Sequence, residues 1–210
     1  MLKAKSLYHL IVYSIFFIII LISFFTFIII NNAHEELQEK ITTLKEDYTN
    51  NQKALLKNYV NYVIKFIDYY YIENRDKFDE ETIQKNLILA LDHLNISSNP
   101  NEYIFIFDIN GNLIDNSNDK QEIGKNFLNY KDSKGKNVVK ELIEASKNSD
   151  GGFVNYFWSK PSLTKETNKI SYVKSYDRWN WTIRKGVYLD EIDRLINKKE
   201  EEYSSKISNY

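Results

Sequence analysis

The stretch "GGFVNYFWSKPSLTKETNKISYVKSYDRWNW", from Gly151 to Trp181, decides the fold of the second half of the chain. It holds two runs rich in aromatic and β-branched residues, "GGFVNYFWSK" and "KISYVKSYD", separated by the polar segment "PSLTKETN". Such runs, bounded by polar loops, predict strands. The segment "WNWTIRKGVYLD" predicts a further strand directly after them. Because short loops join these strands, we expect them to form an antiparallel sheet.

The segments before and after this stretch complete the predicted order of elements. "EYIFIFDINGNLIDNS" predicts two strands around a tight turn at Asn110 and Gly111. Apolar residues recur at helical spacing in "RDKFDEETIQKNLILALDHLN", in "KDSKGKNVVKELIEASKN" and in the final segment "EIDRLINKKEEEYSSKISNY". With a long helix at the start, the chain predicts an α+β fold: an antiparallel sheet with helices on one face.

The N-terminal segment "LYHLIVYSIFFIIILISFFTFIII", residues 7–30, predicts a transmembrane helix. At about 1.5 Å per residue it spans about 36 Å, more than the roughly 30 Å of a bilayer core. A cleaved signal peptide is the alternative, but the run is long and no small-x-small cleavage site follows it. Lys3 and Lys5 precede the segment, whereas its downstream flank is acidic. Residues 1–6 are therefore expected in the cytoplasm, and residues from about 31 onward outside the inner membrane.

Residues 31–76 predict a long membrane-proximal helix, since no Pro or Gly interrupts Glu35 to Asn74. Its apolar residues follow a heptad-like spacing: Leu37, Ile41, Leu44, Tyr48, Leu55, Tyr59, Tyr62, Phe66 and Tyr69. The stripe either packs along its own domain or joins two copies of the chain in a coiled coil. We favour a homodimer, because a helix that rises from a membrane has few other places to bury a stripe.

Composition and motifs exclude several functional classes. The chain has no Cys, which excludes disulfides, thiolate metal sites and Cys nucleophiles. A net charge of −1 argues against a nucleic-acid partner. The chain carries no H-E-x-x-H, G-x-S-x-G or P-loop motif, and its three His residues lie outside the predicted strands. We therefore predict no enzymatic activity, no metal and no cofactor.

Several motifs carry a family resemblance. They are the two D-x-x-G turns at Asp108 to Gly111 and Asp132 to Gly135, the aromatic-x-Trp-x-Lys-Pro run at 156–161 and the "GVYLDEI" ending. Over residues 103–196, the chain resembles the single Cache domain of bacterial transmembrane receptors. The resemblance implies a PAS-like extracytoplasmic sensor over residues 77–196, followed by a helix over 197–210 that returns to the membrane. Two segments depart from the family pattern: "DNSND" at 115–119, and the pair Arg184 and Lys185, where relatives have neutral residues. Each departure could alter the ligand or face solvent.

Side chains alternate between the two faces of a strand, which places Tyr156, Trp158 and Lys160 on one side. Alternation also puts Lys169 and Tyr172 on opposite faces of the following strand. An aromatic wall with a Lys at its rim suits a small carboxylate. The resemblance likewise implies short organic acids such as acetate, propionate, pyruvate or lactate. The predicted ligand-binding residues are Tyr156, Trp158, Lys160 and Tyr172, followed by Lys169 and Tyr188.

Each of these site residues has a simpler explanation: aromatic residues in the core and Lys residues at solvated strand ends. The function that we predict is the ligand-sensing region of a transmembrane signal-transduction receptor, of the chemoreceptor or sensor-kinase type. The resemblance implies that a second membrane span and an output module follow in the full receptor. The alternative is a membrane-anchored adaptor that acts through its coiled coil or through a protein partner.

Overall fold

The computed structural model describes residues 2–94, 101, 103–117, 119–160 and 166–207. Its helices are α1 (Leu2–Asn74), α2 (Glu80–Leu94), α3 (Val138–Ser146) and α4 (Leu189–Ile207). Its strands are β1 (Ile104–Asp108), β2 (Leu113–Asn116), β3 (Gly152–Ser159), β4 (Glu166–Tyr176) and β5 (Trp181–Tyr188). These elements form two compact units, one of residues 1–46 with 195–210 and the other of residues 47–194.

The five strands of the second unit form one sheet in the order β2-β1-β5-β4-β3. Every neighbouring pair is antiparallel. The opening stretch supplies β3 and β4, which pair from Gly152 opposite Val173 to Ser159 opposite Glu166. The predicted α+β fold with an antiparallel sheet is thus confirmed, and β5 occupies its centre.

Helices cover both faces of the sheet, so the expectation of helices on one face is wrong. On one face, the apolar side chains of α1 and α2 pack with sheet residues such as Ile104 and Ile106. On the other face, α3 packs with residues such as Phe105 and Phe107. The strand β1 is apolar at four successive positions, a pattern typical of a strand buried on both faces.

Within the second unit, α1 uses a different stripe from the predicted one to pack on the sheet. Its buried residues are Leu56, Val60, Val63 and Ile67. Two members of the predicted stripe, Tyr59 and Phe66, are partly buried beside them. By contrast, Leu55, Tyr62 and Tyr69 are 54%, 69% and 62% exposed. The helix therefore has two apolar faces, and the second one is exposed in the single chain.

The first unit contains the apolar part of α1 and most of α4. Apolar side chains between Tyr8 and Ile30 are exposed, and this part of α1 is long and apolar enough to cross a membrane. Further along, Leu37, Ile41 and Ile196 are buried. Gln38 donates a hydrogen bond of 3.2 Å to the carboxylate of Glu200. The last helix therefore lies alongside α1 within this unit.

The two leucines of α2 at positions 87 and 89 test the packing of this helix on the sheet. Leu87 is fully buried, whereas Leu89 is 54% exposed. Leu87→Ala should lower the free energy of unfolding by about 2–5 kcal/mol, because it leaves a cavity in the core. Leu89→Ala should change it by less than about 0.5 kcal/mol. Chemical denaturation in detergent micelles, followed by Trp fluorescence, measures both; equal effects would contradict this packing.

Candidate ligand-binding site

The structure brings together five of the six predicted site residues on the α3 face of the sheet. Tyr156, Trp158 and Tyr188 belong to the core cluster on that face. Lys169 lies opposite Tyr156 in the β3–β4 register, and Lys160 follows the end of β3. The Nζ atoms of Lys160 and Lys169 lie 5.2 and 4.3 Å from the centre of the Tyr188 ring.

Tyr172 is the sixth predicted residue, and it lies on the opposite face. It belongs to the cluster formed with α1 and α2, where its ring centre lies 5.0 Å from that of Phe153. Its hydroxyl donates to the backbone carbonyl of Asp150. Strand alternation forces the choice between Lys169 and Tyr172, and the register with β3 selects Lys169. Lys169, rather than Tyr172, therefore shares a face with the other predicted site residues.

Lys160 is buried, but its charge is already paired. Its Nζ forms ion pairs of 3.0 Å with Asp190 and 2.9 Å with Glu191. Both carboxylates lie in the first turn of α4, where negative charge is stabilised by the helix dipole. Lys160 therefore fastens the end of β3 to the start of α4.

Arg184 is a candidate site residue that the sequence reasoning left undecided. It is 1% exposed, and its guanidinium carbon lies 4.1 Å from the centre of the Phe105 ring and 5.1 Å from that of Trp158. Its Nη1 donates to the hydroxyl of Tyr156. Its Nε and Nη2 have no hydrogen-bond partner within the part of the chain that the structure describes. The sequence signal for this residue was the departure from the family pattern at the pair Arg184 and Lys185.

Lys169 is a second buried basic side chain whose nitrogen lacks a hydrogen-bond partner among the described residues. It is fully buried, and its Nζ lies between two rings, 4.1 Å from the centre of Tyr103 and 4.3 Å from that of Tyr188. Among the described residues, no acceptor lies within hydrogen-bonding distance of this nitrogen. Burial, followed by the neighbouring Arg184 guanidinium, holds the pKa of Lys169 well below its usual value.

Tyrosine hydroxyls lie close to these two basic side chains. The hydroxyls of Tyr156 and Ser171 lie 2.6 Å apart, and those of Tyr103 and Tyr188 lie 3.1 Å apart. The Tyr188 hydroxyl also donates to the carbonyl of Ser159 at 2.7 Å. Burial raises the pKa of Tyr103, Tyr156 and Tyr188, so these hydroxyls stay neutral and can donate hydrogen bonds.

The chemistry of this site suits an anion. Burying a cation without an acceptor is costly, so unpaired nitrogens in a core mark a place where a partner is missing. In an arginine, Nε–H and one terminal N–H point the same way and match the two oxygens of a carboxylate. In Arg184, Nη1 is already engaged with Tyr156, whereas Nε and Nη2 are available. The aromatic rings around the guanidinium would enclose a short apolar tail.

A groove of about 470 Å³ lies elsewhere, between the end of α3 and the connection from β4 to β5. It is lined by residues such as Ser146, Asn148 and Asn180. None of the predicted site residues and none of the unpaired buried nitrogens lines it. The groove is therefore separate from the candidate site at Arg184 and Lys169.

Comparisons with known sequences find relatives among sensor proteins. The chain is similar to sensor histidine kinase MctS of Rhizobium johnstonii, with 30% identity over 155 residues that make up 74% of this chain and 32% of that protein. It is also similar to methyl-accepting chemotaxis protein McpP of Pseudomonas putida, with 26% identity over 119 residues, 57% of this chain and 21% of that one. The chain thus spans about a third or less of these curated relatives.

Solved structures agree as well. A Cache chemosensory domain that recognises carboxylic acids has a TM-score of 0.61 and 26% identity, over 69% of this chain and 97% of that one. A methyl-accepting chemotaxis protein from Vibrio parahaemolyticus has a TM-score of 0.63 and 24% identity, over 73% of this chain and 99% of that one. The latter shows the shared fold alone.

A family profile covers the sheet, the candidate site and the second half of α1. The profile of Single Cache domain 2 matches residues 48–202. Domains of this kind are the non-enzymatic sensors of chemoreceptors and sensor kinases, which fits one apolar helix at the N-terminus and a sensor domain in the periplasm. The chain belongs to the Single Cache domain 2 family.

Proposed function

We propose that this chain is the sensing region of an inner-membrane receptor and that it binds a small carboxylate between Arg184 and Lys169. The observation that carries the proposal is the pair of groups on one face of the sheet that lack partners among the described residues: the Nε and Nη2 of Arg184 and the Nζ of Lys169. A carboxylate would accept two parallel hydrogen bonds from the guanidinium and would offset the cost of burying it.

The surroundings of Arg184 limit the size of the ligand. Besides Phe105 and Trp158, the rings of Tyr156 and Phe107 lie 5.6 and 5.7 Å from the guanidinium carbon. Such close aromatic walls leave room for a short apolar tail beside the carboxylate. Acetate, propionate, pyruvate and lactate meet this requirement. The recognition of carboxylic acids by a similar Cache domain of known structure supports the same class.

Gly186 lets the side chain of Lys169 reach the site. It lies on β5 between Arg184 and Tyr188, directly opposite Ser171. A Cβ atom at this position would collide with the hydroxyl of Ser171 and would lie 2.9 Å from Cε of Lys169. The lysine therefore crosses β5 in the space that the missing side chain leaves.

We also infer that two copies of the chain associate through the exposed face of α1. Leu55, Tyr62 and Tyr69 are spaced by seven residues, and each is more than half exposed. A second copy that presents the same face forms a symmetric helix pair and buries all three residues. The dimer predicted from the sequence thus uses only part of the predicted stripe.

Residues 1–6 are inferred to lie in the cytoplasm, 7–30 in the membrane and the remainder outside it. The Lys residues before the apolar segment and the acidic flank after it support this orientation. In this arrangement the candidate site faces the periplasm. No catalytic role is proposed for the chain; its output would come from the part of the receptor beyond the sensor.

The first experiment is a thermal-unfolding titration of the 210-residue chain in detergent micelles with sodium acetate, propionate, pyruvate and lactate. A salt that binds should stabilise the protein by about 2.7 kcal/mol at about 100 times its dissociation constant. Arg184→Met should remove about 2–5 kcal/mol of binding free energy. The unliganded variant should be about as stable as the wild type, because the loss of the hydrogen bond to Tyr156 is offset by the removal of a buried cation whose Nε and Nη2 lack acceptors among the described residues.

Arg178→Met is the matched control for Arg184→Met, because Arg178 is exposed and lies against Tyr71 on the other side of the sheet. It should keep the full response to the carboxylate. The absence of stabilisation by all four salts would reject the carboxylate proposal and favour the adaptor alternative. An unchanged response in Arg184→Met would reject this site.

Gly186→Ala should abolish the carboxylate response and lower the free energy of unfolding by about 1–3 kcal/mol, because the new methyl group overpacks the sheet face. Adding Ser171→Ala removes the nearest clashing atom and should recover part of the stability. The same thermal titration measures both effects. A single Gly186→Ala variant with normal binding would show that Lys169 does not cross β5 at this position.

The dimer is tested by replacing Tyr62 and Tyr69 together with Glu. Four like charges on a symmetric interface should convert the dimer into a monomer in sedimentation equilibrium performed in detergent. Leu89→Glu is the control, since Leu89 is an exposed apolar residue on α2. A monomeric wild type, or a dimer that survives the double substitution, would contradict the proposed interface.

A further inference from the structure

We infer that the carboxylate binds together with one proton, which is taken up by the Nζ of Lys169 from solvent, so that the receptor responds to acidity and carboxylate jointly. This inference rests on the proposed carboxylate site. It makes the proton a second ligand of the domain, with Lys169 as its binding group.

The position of Lys169 disfavours an ammonium in the absence of ligand. The side chain is fully buried, and its nitrogen contacts ring faces instead of an oxygen acceptor. The rings of Tyr103 and Tyr188 attract a cation, but they replace only part of the hydration that an ammonium loses on burial. In the absence of a ligand, the nitrogen of Lys169 is therefore a neutral amine.

The net charge around Lys169 acts in the same direction as its burial. The charged and titratable groups around it come from four elements: Arg184, Lys185 and Tyr188 on β5, Tyr103 before β1, Tyr156 and Lys160 on and after β3, and Glu191 on α4. Three of these groups are cations and one is an anion. The anion, Glu191, is already paired with Lys160 at 2.9 Å. This excess of positive charge keeps the pKa of Lys169 low.

A bound carboxylate reverses this balance. It brings a negative charge into the low-dielectric site, and an ammonium between the two rings then has an acceptor. The step is written as amine plus proton plus carboxylate giving an ammonium–carboxylate pair, with no other atom gained or lost. Short carboxylic acids have pKa values of about 5 or lower and are ionised at neutral pH, so the proton comes from solvent.

The effect of pH on the dissociation constant follows from comparing the empty site with the occupied site. The pKa of Lys169 is low in the empty site and higher in the occupied site. Between the two values, proton uptake accompanies binding, and the dissociation constant rises about tenfold for each unit of pH. Below the lower value and above the higher value, the dissociation constant no longer depends on this group.

Isothermal titration calorimetry of the full chain in detergent micelles tests the inference. Sodium acetate, propionate, pyruvate and lactate are the probes, each titrated near neutral pH in Tris, imidazole and triethanolamine buffers. These buffers differ in ionisation enthalpy, and their charged forms are cations that do not compete for the site. The slope of the observed enthalpy against the ionisation enthalpy gives the number of protons taken up, which we expect to be close to one.

Two variants assign the proton to Lys169. Lys169→Met should bind more weakly through Arg184, with proton uptake close to zero. Lys169→Arg keeps a cation that does not titrate, so it should bind with no uptake and with an affinity independent of pH. If both variants fail to bind, the pH dependence of the wild-type dissociation constant still tests the inference. A dissociation constant that rises about tenfold per unit of pH supports proton uptake, and one that does not change with pH contradicts it.

The outcomes separate the two proposals. Binding to the wild type without proton uptake would overturn the proton inference and leave the carboxylate site intact. Uptake that persists in Lys169→Met would overturn the assignment to Lys169. An absence of binding by all four salts would overturn the proposed function, and the proton inference with it.

Discussion

Complete burial of β5 is the constraint on which the rest of the sensor domain depends. All eight residues of this strand are buried, because it lies in the middle of the sheet and helices cover both faces. Two basic residues in such a strand have little contact with solvent. Alternation sends Arg184 to the α3 face and Lys185 to the α1 face, where its nitrogen lies 3.8 Å from the centre of the Tyr59 ring. The burial of Arg184 on the α3 face is what suits this side chain to pair with an anion.

Much of the fold was predictable from the sequence, because helix and strand periodicities are local. The order of elements, the antiparallel sheet and the hairpin of the opening stretch all follow from patterns within short windows. Register between strands is not local. The sequence showed that Lys169 and Tyr172 take opposite faces, but only the pairing of Tyr156 with Lys169 shows which face belongs to the site. The unpaired groups of Arg184 likewise depend on neighbours far away in the sequence.

The long helix illustrates a second limit of pattern reading. A helix with one apolar stripe has one packing face, but α1 has apolar residues around much of its circumference from Leu55 to Ile72. The stripe with the larger aromatic residues was the more visible in the sequence. The face that packs on the sheet carries Leu56, Val60, Val63 and Ile67, whereas the exposed face carries Leu55, Tyr62 and Tyr69. Both sets recur at helical spacing, so periodicity alone does not show which one is buried.

The ion pairs of Lys160 have a consequence for a protein that meets a changing medium. Ions in solution screen exposed pairs, such as Lys40 with Glu36, whose side chains are 62% and 66% exposed. The Lys160 side chain is 3% exposed, and its two carboxylate partners are each about a third exposed, so salt reaches this contact poorly. The junction between the end of β3 and the start of α4 therefore keeps its strength when salinity changes.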